Sequence, residues 1–318
     1  MNKIEFYIAD CVKNGGIYKY SFDGKRAEFI SKKEMDFPMY MAKAGERLYI
    51  PLRYMEDSKE SGVISFKIIG SELTEPSAVQ STHGECACHI AVDNGNIYCA
   101  NYISGSVCKL PDTLIAHEGH GPNTPRQDKA HTHFVMKTFD GYILAVDLGM
   151  DTVFTYTTDL EEVSKSKVPD GHGARHLVFS KDNRYVYCIN ELAATVTVFS
   201  YNDGRLTPKG TYRSLPEDFH GANTAAAIRI SADGKYLYVS NRGHDSITAF
   251  EIDGEELILK SITPCGGKGP RDFNIIGDFL ICTNEGTGNV TIFSVDKEKL
   301  AFIEEIDGFG DPLCVIEA

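Results

Sequence analysis

Residues 176–199, HLVFSKDNRYVYCINELAATVTVF, contain three short apolar strands divided by turn residues, and the same pattern recurs along the chain. The unit has a small or polar entry, an alternating strand, a Gly/Asp/Asn turn, a second strand ending in Asn or Asp, and a third ending in an aromatic. Clear copies occupy residues 133–156, 227–250 and 272–293, and degenerate copies end at Phe22, Phe66 and Leu110. The terminal residues Phe22, Phe66, Leu110, Tyr156, Phe199, Phe250 and Phe293 fall 44, 44, 46, 43, 51 and 43 positions apart. Seven units with a period in the forties and several strands each read as propeller blades. Val196-Thr197-Val198-Phe199 and Tyr236-Leu237-Tyr238-Val239 are β-branched and aromatic, which excludes a helical repeat of similar length.

Asp-Gly pairs at 23–24, 140–141, 203–204, 233–234, 253–254 and 307–308 supply the positive φ of tight hairpin turns. The first copy lacks an opening strand, since residues 4–8 correspond to the second strand of the others. The chain ends with Pro312-Leu313-Cys314-Val315-Ile316, which matches an opening strand. The expected fold is therefore an all-β, seven-bladed β-propeller whose C-terminal strand completes the N-terminal blade, so that no sheet edge is left at the seam. Residues 1–318 are expected to form a single domain, because no linker, low-complexity tract or long like-charge run divides them.

No apolar run approaches the ~18 residues of a membrane helix, and the N-terminus lacks a signal-peptide stretch, so a cytoplasmic location is expected. A net charge of −13 argues against nucleic acid or an anionic membrane as partner. The expected partner is a small anionic molecule, and the expected state is a monomer or weak homo-oligomer. The nine cysteines are odd in number and lack zinc-ribbon spacing, and most lie in strands where a small buried hydrophobe would serve.

Stacking the copies yields two informative columns. At the entry of the innermost strand stand Met39-Tyr40, Cys88-His89, Thr132-His133, Arg175-His176, Ala226-Ala227 and Arg271-Asp272. After the second strand stand Leu52-Arg53, Asn101-Tyr102, Asp147-Leu148, Asn190-Glu191, Asn241-Arg242 and Asn284-Glu285. The start of the first strand and the end of the second lie at the same end of an antiparallel hairpin. One channel mouth should therefore gather His133, Arg175, His176, Glu191, Arg242, Arg271, Asp272 and Glu285. Asn101, Asn190, Asn241, Asn284 and Asp147 read instead as strand-capping residues. His131 and His133, two apart on a strand, should face the same side. They would suit a metal, but neighbouring arginines would repel a cation, so no metal and no cofactor is expected. His117-Glu118-Gly119-His120-Gly121 lacks metalloprotease spacing and reads as a loop between blades, with a rim lid as one use.

His131-Thr132-His133, Gly171-His172-Gly173-Ala174-Arg175-His176, Asn190-Glu191-Leu192, residues 240–246 (SNRGHDS) and Gly269-Pro270-Arg271-Asp272-Phe273 carry a resemblance to the seven-bladed lactonase family. That family includes propeller-type 6-phosphogluconolactonases and carboxy-muconate lactonizing enzymes. The resemblance spans essentially the whole chain and is weakest in the N-terminal third. It implies a catalytic set of His133, Arg175, Glu191 and Arg242, with His131, His176, Arg271, Asp272 and Glu285 binding substrate. It also implies hydrolysis of an anionic sugar-acid lactone, 6-phosphogluconolactone foremost. Opening a lactone needs a directed water and positive charge beside the developing oxyanion. Arg175 or Arg242 would serve the oxyanion, and His133, ahead of Glu191, would move the proton, since clustered arginines keep Glu191 ionised. Two other readings stand beside this one. A muconate-type cycloisomerase needs the same anion clamp. A non-catalytic interaction platform is disfavoured by the absence of tryptophan, which WD-type scaffolds carry.

Overall fold

A computed structural model describes residues 3–55 and 58–318. Among these residues every regular element is a strand, and the strands form the seven sheets of a β-propeller. No helix is long and apolar enough to cross a membrane. Blade 4 shows the unit, running outward through Thr132–Lys137, Ile143–Asp147, Thr152–Tyr156 and Glu162–Lys167, each antiparallel to the last. Blades 3, 5, 6 and 7 repeat it from the inner strands Ala87–Asp93, Ala174–Phe179, Thr224–Ile230 and Pro270–Ile276. Blade 2 departs most: its inner strand shrinks to Ala42–Ala44, and an extra strand, Gln80–Glu85, pairs with Glu60–Ile69. Five of the six Asp-Gly pairs sit in hairpins, whereas Asp307-Gly308 lies in the crossover after Lys299–Ile306.

Alternation fades toward the middle of each blade because both sheet faces are covered. Ile143–Asp147 and Thr152–Tyr156 are buried at every position, while the outer strand Glu162–Lys167 returns to partial exposure. Blades stack face to face, and the core consists of an apolar cluster at each junction. Phe199, Val186 and Leu177 of blade 5 meet Leu144, Val146 and Val153 of blade 4, and Phe250 and Leu237 of blade 6 meet Val196 and Val198 of blade 5. All nine cysteines are buried and unpaired, as small apolar filler. The capping asparagines tie the second strand to the third, as where Asn190 Nδ2 donates to Thr195 Oγ1 at 3.0 Å and to Thr197 Oγ1 at 2.8 Å.

The ring closes as the repeat predicts. Pro312–Glu317 pairs with Ile4–Asp10 and becomes the inner strand of blade 1, with Val315 opposite Ile8 and Cys314 opposite Ala9. Two carboxylates hold the seam. Asp10 Oδ1 accepts the N–H groups of Gly310 (3.0 Å) and Asp311 (2.7 Å), and Asp272 Oδ2 accepts that of Val315 at 3.2 Å. Asp272 Oδ1 also pairs with Arg229 at 2.8 Å. Expected among the substrate-binding residues, Asp272 is committed to ring closure, and its side chain is 2% exposed.

One irregularity recurs in the inner strands. Thr132 pairs with Asp147 and Phe134 with Val146, so His133 is an extra residue with no partner of its own. The same bulge leaves Cys88 extra in blade 3, Arg175 in blade 5, Arg271 in blade 7 and Leu313 in blade 1. In blade 6 two residues, Ala226 and Ala227, stand against Ser240 alone. Bulges bend a strand and re-aim a side chain. Here they turn Cys88, His133, Arg175, Arg271 and Leu313 toward the channel.

Removing the Asp272 carboxylate strands a guanidinium at the seam. Asp272→Ala should destabilise the protein by about 3–5 kcal/mol, the usual cost of breaking a buried ion pair, and Asp272→Asn by less. Urea denaturation of both variants measures this.

Candidate active site

The channel is organised in levels set by the bulges. The middle level is the ring of bulge residues, of which Cys88, His133, Arg271 and Leu313 line a cavity of about 360 Å³ together with Met39. The rim is formed by residues at or just past the ends of second strands, Arg53, Tyr102, Glu191, Arg242 and Glu285. Below the bulge ring Tyr40, His89, Phe134 and His176 pack into a floor. Tyr40 packs on His89 (ring centroids 4.3 Å apart), His89 on Phe134 (4.1 Å) and Phe134 on His176 (4.9 Å). The channel is thus a blind pocket of a size suited to a small molecule.

Glu191 is the electrostatic hub. Its Oε2 accepts from Arg175 Nε at 3.0 Å and forms an ion pair with Arg242 Nη2 at 3.1 Å, and its Oε1 accepts from Arg126 Nη2. Burial alone would raise its pKa, but Arg242, Arg175 and Arg126 hold the carboxyl well below the ordinary range. Glu191 therefore stays ionised and is a poor base; it organises the guanidinium groups. Arg175 is fully enclosed. Burial, with Arg271 and Arg242 adding to it, pushes its pKa down to about 9, and it remains charged at neutral pH. It also donates through Nη1 to Ala226 O at 2.6 Å. Glu285 bridges Arg242 and Arg271, each at 3.3 Å. Five guanidinium groups (Arg53, Arg126, Arg175, Arg242, Arg271) thus surround four carboxylates (Glu191, Glu285, Asp311 and Asp272, the last paired with Arg229) in the pocket walls of a chain whose net charge is −13.

His133 stands in the wall among these charges. Burial, then the positive charge of Arg175, depress its pKa well below the ordinary imidazole value, so the ring is neutral. Its Nδ1 is buried without a partner, which leaves Nε2 as the nitrogen able to exchange a proton with the cavity. Cys88 also faces the cavity, but burial raises its thiol pKa far above the usual value and no thiolate nucleophile is available. Among the described residues no three His, Cys, Asp or Glu side chains converge as a metal site.

Of the residues named from sequence, His133, Glu191, Arg242, Arg271 and Glu285 line the cavity, and Arg175 lies beneath it. His131 lies outside the wall: it stacks on Tyr102 at 4.6 Å, and its Nδ1 meets Tyr102 O at 3.0 Å. The bulge at His133 resets the alternation, so the two histidines do not share a face. The bulge also corrects the stacking of copies. His133 corresponds to Cys88 and Arg175, whereas His89 and His176 correspond to Phe134 and belong to the floor. The segment 117–131 is anchored at three points, and its Arg126 lines the cavity. His117 is buried against Asp147 Oδ2 at 2.7 Å and Tyr156 Oη at 2.8 Å, Gln127 is fully buried, and Arg126 reaches Glu191. Arg53, Tyr102 and Asp311 complete the cavity; Arg53 and Tyr102 stood in the rim column, but Arg126 had no repeat position to mark it.

A seven-bladed ring with a blind, arginine-walled pocket defines the class, and a sequence model of the lactonase family, the 7-bladed β-propeller lactonases, matches residues 5–316. The chain belongs to that family. Among its relatives is an uncharacterized Lactococcus lactis protein, YwcC, 37% identical over 282 residues covering 81% of each chain. A solved structure from Lactobacillus plantarum superposes with a TM-score of 0.93 at 29% identity over all of both chains. A Bacteroides fragilis protein provisionally assigned as a 6-phosphogluconolactonase superposes with a TM-score of 0.89 at 27% identity, covering 99% of this chain and 98% of that one.

The buried imidazoles make stability pH-dependent. Burial lowers the pKa values of His89, His133 and His176 well below 6.5. Below that pH the unfolded chain binds protons that the folded chain refuses, so this stability is complete above it and is lost as the solution is acidified. Each group contributes up to about 1.4 kcal/mol per pH unit. The melting temperature should fall below pH 6.5, and His176→Phe, which copies Phe134 at the equivalent position, should make the fall shallower.

Proposed function

We propose that the protein hydrolyses the lactone of an anionic sugar acid, with 6-phosphogluconolactone as the preferred substrate. The observation that carries this reading is the excess of guanidinium groups around a blind cavity with one neutral imidazole, His133, in its wall. The excess positive charge attracts an anionic substrate, and the same donors stabilise the oxyanion that forms when water adds to the lactone carbonyl. In this mechanism His133 Nε2 takes a proton from water as its oxygen attacks the carbonyl carbon. The oxyanion is held by the Arg242 and Arg175 side of the pocket. Collapse of the adduct breaks the bond to the ring oxygen, which takes the proton back from the imidazolium. Glu191 keeps Arg175 and Arg242 in place. A cytoplasmic location accords with cysteines that are all buried and unpaired.

The test is turnover by purified protein of 6-phosphogluconolactone, of unphosphorylated gluconolactone and of a muconolactone. The first should be consumed fastest; turnover of the muconolactone alone would favour cycloisomerisation, and turnover of none would overturn both enzyme readings. His133→Gln should lower kcat by about 10²–10⁴-fold, the range for loss of a general base. An Arg175→Ala, Arg242→Ala double variant that hydrolyses at the native rate would overturn the site assignment. Because the His133 pKa lies well below 6.5, the native rate should hold level through neutral pH and decline only on the acid side of that value.

A further inference from the structure

Four of the five pocket arginines have a carboxylate within ion-pair distance: Arg126, Arg175 and Arg242 share Glu191, and Arg271 meets Glu285. Arg53 has none among the described residues, and its Nε is buried without a hydrogen-bond partner. It is nevertheless firmly placed. Its N–H donates to Phe37 O at 2.9 Å, and its carbonyl accepts from Ser61 Oγ at 2.8 Å. The guanidinium carbon lies 5.7 Å from the centre of the Tyr54 ring. Stacking on an aromatic face leaves the donor edge of a guanidinium free in its own plane. A buried donor without an acceptor is costly, and an incoming anion would remove that cost.

Its place in the ring supplies the second half of the argument. Arg53 follows the second strand of blade 2, Arg47–Leu52, and Glu191 that of blade 5, Tyr185–Asn190, so the two face one another across the seven-bladed channel. His133, in blade 4, stands beside the Glu191 half. A six-carbon aldonolactone has its carbonyl at one end and the substituent on its last carbon at the other. With the carbonyl held between His133, Arg175 and Arg242, in blades 4 to 6, the far end crosses the channel toward blades 1 and 2, where Arg53 lines the wall.

We infer that Arg53 is the anchor for a terminal oxyanion, a phosphate monoester or a carboxylate, at the end of the substrate remote from the reacting carbonyl, and that it sets the preference of the site for charged over neutral lactones. This rests on the hydrolytic reading given above. Arg53 touches the substrate without taking part in bond making, so its loss acts on substrate affinity more than on the chemical step.

The experiment measures kcat and KM of native protein, Arg53→Ala and Arg53→Lys on 6-phosphogluconolactone, the monolactone of glucaric acid and neutral gluconolactone, and measures inorganic phosphate binding by calorimetry. In Arg53→Ala the ratio of kcat/KM for a charged lactone to that for the neutral one should fall at least tenfold, mostly through KM. Arg53→Lys should restore part of the ratio, since it keeps the charge and loses the planar fork. The charged lactone whose ratio falls further identifies the group held. An unchanged ratio for both, in variants with native circular dichroism, overturns the inference while leaving hydrolysis intact. If the native protein opens none of the lactones, phosphate binding decides: a tenfold or greater loss in Arg53→Ala upholds the anchor although the hydrolytic reading falls, with Arg53→Lys losing less, and a loss of less than tenfold in Arg53→Ala overturns it.

Discussion

An inner propeller strand is covered on both faces by neighbouring blades, so regular alternation would send all of its side chains into those interfaces and none toward the axis. The recurrent bulge removes this constraint. By placing two residues against one at the same height in successive blades, it turns Cys88, His133, Arg175 and Arg271 inward and drops the following residues into the floor. The pocket, its blind end and the spacing of its polar groups all depend on that break in register.

Gathering five guanidinium groups in a low-dielectric cavity would be prohibitive without counter-charge. Glu191 and Glu285 supply it through shared contacts, one carboxylate serving three arginines and the other two. Positive charge still exceeds negative, and this residual field is available to a ligand. The same field, with burial, keeps the imidazoles neutral, so one electrostatic arrangement both attracts an anion and leaves His133 able to accept a proton.

Much of this was legible in the chain because repetition exposes deviation. Seven periodic apolar endings, six of them aromatic, and Asp-Gly turns implied the blades, and the displaced first strand implied closure by the C-terminus. The two columns then singled out Arg175, Glu191, Arg242, Arg271 and Glu285, because charges gathered at one end of the hairpins, where the strands turn toward a single channel mouth, have no packing reason to be there. Periodicity misled where the register breaks. It put His131 on the face of His133, aligned His133 with His176, and offered Asp272 to the substrate when the seam uses it. The family resemblance is weakest in the N-terminal third, which includes the irregular blade 2, yet Arg53 and Tyr102 come from that region.

The sequence by itself determined the number of blades, the strand order within each, and which copies carry charge, since these follow from hydrophobic period and turn chemistry, which act over a few residues. Only the tertiary structure decided which of two adjacent side chains enters the channel, that Arg126 arrives from a connecting segment to pair with Glu191, and that Arg53 stands opposite them. Those outcomes depend on bulge register and on closure of the ring, and both are settled by contacts between residues far apart in the chain.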